Sequence, residues 1–148
     1  MNDVNPASPV ATVAFRLGTL GAVMTDRFAA RIESYDLKPK HVGLMTVLDS
    51  GGGSSQLEIA RIMGIAPSLV VSLADHLENL GAIQRIRDPE DRRRQVLTLT
   101  ASGRDLLRDC AREAQEVDAE FTAGLSPADQ ATLSRLLGTV AAVAGLPA

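Results

Sequence analysis

The stretch IAPSLVVSLADHLENLGAIQRIRDPEDRRRQVLTLTASG, residues 65–103, decides the fold. Pro67 suits the first turn of a helix and Gly81 its end, so the spacing predicts a helix over roughly 67–80. The hydrophobic period then changes. Ala82–Arg87 alternates loosely, and Gln95–Thr100 alternates apolar and polar in steps of two. Between them lies DPEDRRR, a charged segment rich in turn formers, so the two runs read as a β-hairpin. Asp88 with Pro89 can initiate its turn. Five of the chain's fifteen cationic side chains fall here: Arg85, Arg87, Arg92, Arg93 and Arg94. Asp91 can pair with the neighbouring arginines and hold one of them in a single orientation.

Upstream, SSQLEIARIMG has the Ser55-x-x-Glu58 spacing of a capping box and a stop at Gly64. It predicts a short helix with Leu57, Ile59 and Ile62 inward. LKPKHVGLMTVL (37–48) reads as another helix, with Pro39 near its first turn and Val42, Met45 and Leu48 on one face. The glycines at 51–53 lack the Gly-Lys-Ser/Thr of a phosphate loop and read as a flexible helix connection. Residues 1–9 are expected to be frayed. From about Pro9, Val13, Leu17, Leu20, Met24, Phe28 and Ile32 recur at helical steps, with Phe15, Val23 and Ala29 off the stripe. A helix apolar on most sides needs more than one neighbour, and a second copy of the chain can supply it. Downstream, Thr100 can cap a long helix over about 101–123, and Ser126-Pro127 with Asp129 opens a last one.

The 148 residues suit one domain, and 45% hydrophobic content is enough for a core. The net charge of −3 hides an uneven distribution: residues 37–100 carry eight basic and seven acidic groups, the only third with a positive balance. One cysteine, Cys110, excludes an internal disulfide framework and a multi-cysteine zinc site, and suits a reducing cytoplasm. No signal-peptide pattern opens the chain. Uncharged runs such as Leu17–Thr25 and Leu136–Ala148 are shorter than the ~20 apolar residues of a membrane helix. His41 and His76 alone make no metal site, no cofactor is implied, and no Ser/His/Asp or Cys/His set is arranged for catalysis. The expectation is a non-enzymatic protein.

Helix, turn, helix and charged hairpin is the order of a winged helix-turn-helix, in which the second helix enters the DNA major groove. The hairpin tip at 87–94 then meets phosphates and the minor groove, for which guanidinium groups are suited. Here the residues resemble a known family. LENLGAIQR, then DPEDRRR, then LTLTASG is similar to the core of the MarR-family transcriptional regulators, and the resemblance runs from about Val10 to the C-terminus. It implies a mainly α fold with a small β-hairpin wing, residues 37–100 binding DNA and residues 10–36 and 101–148 forming dimerisation helices. It further implies a homodimer on a pseudo-palindromic operator, acting most often as a repressor and released by a small molecule or oxidant.

Carried over by position, the resemblance makes Ser68, Leu69, Val71, Ser72 and His76 the exposed face of the recognition helix, with Leu73 and Leu77 towards the core. Ser55 and Gln56 join the DNA-binding set from the preceding helix, and Arg87, Arg92, Arg93 and Arg94 from the wing. Arg93 matches the minor-groove arginine and Asp91 the aspartate that orients it. Arg16, His41 and Met45 are candidates for an effector pocket. Cys110 does not match the N-terminal cysteine of peroxide-sensing members and reads as a buried, inert thiol. In the family positions 69, 71 and 72 often hold Thr, Ser or Arg and position 67 Arg or Ser; this chain has Leu69, Val71, Ser72 and Pro67 there. That apolar recognition helix keeps an alternative open: a ligand-binding or protein-interaction module without specific DNA binding. A small enzyme is a third, weaker reading.

Overall fold

The computed structural model describes residues 7–51 and 55–146. Thr12 opens the first helix, its hydroxyl accepting the Phe15 N–H at 3.2 Å. α1 therefore runs Val13–Ile32, with a 3-10 turn at Pro9–Ala11 before it in place of the expected helix from Pro9. A second 3-10 turn, Glu33–Tyr35, leads into Asp36, which takes a left-handed conformation at φ 58°. α2 spans Pro39–Gly51, so the helix continues past Asp49 where the sequence suggested a break. The rest of the expected glycine connection lies outside the described residues.

α3 (Gln56–Met63) carries the capping box in full and ends on Gly64 at φ 63°. α4 (Pro67–Asn79) follows at 111° to it, the angle of a helix-turn-helix. β1 (Ile83–Arg87) pairs antiparallel with β2 (Gln95–Leu99), Ile83 opposite Leu99 and Arg87 opposite Gln95. α5 (Ala101–Thr122) starts under a Thr100 cap, whose Oγ1 accepts the Gly103 N–H at 3.0 Å. α6 (Pro127–Val143) starts under Ser126, which accepts the Asp129 N–H at 3.2 Å.

The chain divides into two compact units after Ala114, within α5. The first holds a core built from Ile32 of α1, Leu44, Met45 and Leu48 of α2, Ile59 of α3, Leu73 and Leu77 of α4, and Ile83 and Leu97 of the hairpin. α3 corrects one expectation: Leu57 and Ile62 are 66% and 64% exposed, and Ile59, Ala60 and Met63 face inward instead. At 100° per residue, 59, 60 and 63 share a side that 57 and 62 do not. On α1 only the C-terminal end joins the core; Val13, Leu20 and Val23 are exposed. The second unit contains α6, where Leu133, Leu136, Leu137 and Val140 are exposed and no residue is buried. Among the described residues, no single helix is long and apolar enough to cross a membrane.

Candidate nucleic-acid interface

Glu58 joins two parts of the site. One carboxylate oxygen accepts the Ser55 N–H at 3.1 Å, completing the cap of α3, and the other accepts Arg94 Nη2 at 2.6 Å. The Arg94 hydrogen bond is the main reason the Glu58 carboxyl is held below its ordinary range. Arg94, a DNA-binding candidate by sequence, is thus engaged with α3 and anchors the wing. The Ser55 hydroxyl accepts the Glu58 N–H at 3.3 Å, and Gln56 is half-buried as the first residue of α3.

On α4, Val70, Leu73, Ala74 and Leu77 face the core, and Ser68, Val71, Ser72 and Asp75 face outward. Two candidates do not share that outer face. Leu69 packs against the core, because it lies one turn before Leu73. His76 turns to the side: its Nε2 lies 2.6 Å from the Asp36 carbonyl oxygen, and its ring stacks on His41 at 4.5 Å.

The wing is shaped by two aspartates that bond to backbone. Asp88 Oδ1 accepts the Glu90 N–H at 2.9 Å, and Asp91 Oδ1 accepts the Arg93 N–H at 3.0 Å. Asp91 therefore acts on Arg93 through the main chain, where the sequence suggested a charge pair. Arg87 Nη1 donates across the hairpin to the Arg92 carbonyl at 2.8 Å. Arg85 reaches back to α4, donating to Asp75 at 2.5 Å and Glu78 at 2.8 Å. Three of the five arginines thus hold the hairpin together or to its helices. The guanidinium groups of Arg92 and Arg93 are exposed and have no partner among the described residues. Sequence reasoning missed the Arg85 clamp; opposite charges on either side of the turn at Gly81 were its only signal.

A cavity of about 800 Å³ lies between the end of α1, the start of α2 and α4, lined by Ala29, Ala30, Glu33, Asp36, Leu37, Lys38, Pro39, His41, Ser72 and His76. Of the effector candidates only His41 lines it. Met45, one turn further along α2, is fully buried in the core. Arg16 belongs to the start of α1, where its Nε donates to the Val10 carbonyl at 3.3 Å. His41 is 7% exposed, and its Nδ1 accepts the Lys38 N–H at 2.9 Å, the part a glutamate plays in a capping box. Burial, then the neighbouring His76 and Lys38, hold its pKa below the ordinary 6.5.

Cys110 is buried, and burial pushes its thiol pKa up, which disfavours the reactive thiolate. Among the described residues no group of three or more His, Cys, Asp or Glu could hold a metal ion.

A bent helix pair followed by a two-stranded wing with two unpaired arginines at its tip defines a winged helix-turn-helix DNA-binding protein. The family model of the MarR family matches residues 35–94. Among similar proteins, a transcriptional regulatory protein of Thauera aromatica named for the hcr operon is 33% identical over 75% of this chain and 68% of its own length. The transcriptional regulator HosA of Escherichia coli O111:H- is 31% identical over 68% of this chain and 73% of its own. Among solved structures, the transcriptional repressor CouR bound to a 23-mer DNA duplex is 26% identical, with a TM-score of 0.76 over 95% of this chain and 99% of that one. CouR from Rhodococcus jostii bound to p-coumaroyl-CoA has the same fold, at 23% identity and a TM-score of 0.74 over 91% and 95%. The chain belongs to the MarR family and is a DNA-binding transcriptional regulator.

Proposed function

We propose that the protein works in the cytoplasm as a homodimeric repressor that holds a pseudo-palindromic operator and is released by a small molecule, with no catalytic step. The observation that carries this reading is the pair of unpartnered guanidinium groups, Arg92 and Arg93, at the tip of a wing tied to α3 by Arg94 and to α4 by Arg85. Residues 37–100 form the DNA-binding region. Ser68, Val71 and Ser72 meet the major groove, Arg92 meets phosphate, and Arg93 enters the minor groove. Ser55 and Gln56, at the start of α3, lie towards the backbone, as the first helix of such a pair does.

Residues 10–36 and 101–148 supply the dimer. Its support is the uncovered apolar surface on α1 and, separately, on α6. Single exposed apolar residues are ordinary; rows of them along a helix mark an interface. The effector reading rests on the cavity, because Ser72 and His76 of α4 form part of its wall. A ligand there touches the helix that reads DNA. CouR, which binds both a duplex and p-coumaroyl-CoA, supports the same two-ligand logic.

The absence of Arg, Lys, Asn or Gln on α4 before Asn79 at its end favours the second reading of a module without specific DNA binding. One experiment separates the two. The full chain selects from a random 30-base-pair duplex library, and fluorescence anisotropy follows binding of the selected duplex against random competitor. One phosphate-facing wing arginine per subunit, Arg92, predicts that log K falls with log salt at a slope of about −1.8 or steeper, at ~0.9 per phosphate contact. A preferred duplex with that slope supports the repressor. Equal binding to competitor, or none, supports the module.

A further inference from the structure

The outer face of α4 has little of the chemistry that usually reads bases. Its first two turns present Ser68, Val71 and Ser72, and Val71 is 41% exposed. Bidentate recognition of guanine needs arginine or lysine, and of adenine asparagine or glutamine. None of these stands on the first two turns. The only amide of α4, Asn79, ends the helix, eight residues and about 12 Å along the axis from Val71. The next outward group, Asp75, is committed to Arg85 at 2.5 Å. In a helix-turn-helix the N-terminal part of the second helix meets the base edges. That part of α4 offers one branched apolar side chain between two hydroxyls.

The major groove has one apolar group on its base edges, the C5 methyl of thymine. We propose that Val71 is a specificity-determining residue that reads thymine methyl groups, flanked by Ser68 and Ser72. Each half-site then carries thymine where the first two turns of α4 enter the groove, and the operator is distinguished there by methyl contact. The proposal rests on the DNA-binding reading above. It adds which groups of the DNA the helix recognises.

Deoxyuridine in place of thymidine removes the methyl and leaves every hydrogen-bonding group, so it isolates this contact. The full chain first selects its duplex from the random library. Each thymidine of the half-sites is then replaced singly by deoxyuridine, and affinity is measured at fixed salt for the parent and for Val71→Ala. The proposal expects one or two thymidines per half-site whose replacement weakens parent binding about fourfold, the effect of burying one carbon, and a loss of less than ~1.5-fold at those positions in Val71→Ala. Val71 is partly exposed, so the alanine variant should keep the parent's thermal midpoint, which is checked alongside. A selected duplex that binds equally well with deoxyuridine at every position overturns the proposal and leaves the regulator reading standing. So does an equal deoxyuridine penalty in parent and Val71→Ala. Failure to select any duplex over random competitor overturns both.

Discussion

Replacing Gly103 by alanine probes the junction that sets the wing against α5. A Cβ at this position would lie 1.9 Å from the Ala82 carbonyl oxygen and 2.8 Å from its carbon. Ordinary C···O contacts begin near ~3.3 Å, so the start of α5 must retreat by about 1.4 Å. The neighbouring atoms are backbone and cannot swing aside. The retreat breaks a local set of bonds: the Thr100 N–H to Ala82 O at 3.0 Å, the Thr100 hydroxyl to Gly81 O at 2.6 Å, and the Ser102 hydroxyl to Gly81 O at 3.1 Å. Losing two or three of these costs ~2–3 kcal/mol. Strain from the forced contact adds ~1–3 kcal/mol. The better helix propensity of alanine returns ~1 kcal/mol. The balance is a destabilisation of about 3 kcal/mol, a large part of the ~5–15 kcal/mol typical of a domain. Urea unfolding of parent and Gly103→Ala at pH 7.5 measures it through the midpoint at unchanged slope. A variant as stable as the parent, or more so, refutes the close approach of Gly103 to the Ala82 carbonyl.

Arg85→Ala should weaken duplex binding about fivefold at low salt although Arg85 is turned away from the tip, because it uncovers Asp75 and Glu78 on the DNA-facing helix α4. Adding Asp75→Asn and Glu78→Gln should restore affinity, and anisotropy titrations showing no loss in Arg85→Ala contradict the clamp's electrostatic role. Asp91→Asn keeps an oxygen that can accept the Arg93 N–H, so it should bind like the parent, whereas Asp91→Ala should bind about fivefold more weakly. Tighter binding by Asp91→Ala, as simple charge removal suggests, rules out the positioning role. His41 gives a pH dependence with a definite sign. Its folded pKa lies below the unfolded 6.5, so the unfolded chain binds the extra proton. Its contribution to stability is present above about pH 6.5 and is lost as pH falls towards the folded value, at up to ~1.4 kcal/mol per pH unit. Urea unfolding from pH 7.5 to 5.0 should show a steeper loss for the parent than for His41→Gln, and parallel curves contradict it.

What was legible in the sequence follows the range of each interaction. The Ser55–Glu58 capping box, the glycine stop at Gly64, the Thr100 and Ser126 caps and the inner strand ends Arg87 and Gln95 are set by residues within a few positions of one another, and each appears as read, while the outer strand ends stop one residue short, at Ile83 and Leu99. Leu57 and Ile62 were misread because an eight-residue helix is too short for its apolar pattern to show which side faces the core. The roles of Arg94, His76 and Met45 depend on partners far along the chain. Arg94 meets Glu58 36 residues away, and His76 meets Asp36 40 residues away. Nothing local distinguishes Arg94 from Arg93, and only the fold assigns one to an ion pair with Glu58 and leaves the other unpaired among the described residues.

The most direct test of a two-fold winged-helix regulator is hydroxyl-radical footprinting on the selected duplex, with the number of bound chains measured by sedimentation. Two chains should protect a symmetric pattern with half-site centres about 10 base pairs apart, one helical turn. A single chain on one short asymmetric site, or uniform protection without a site, contradicts the account.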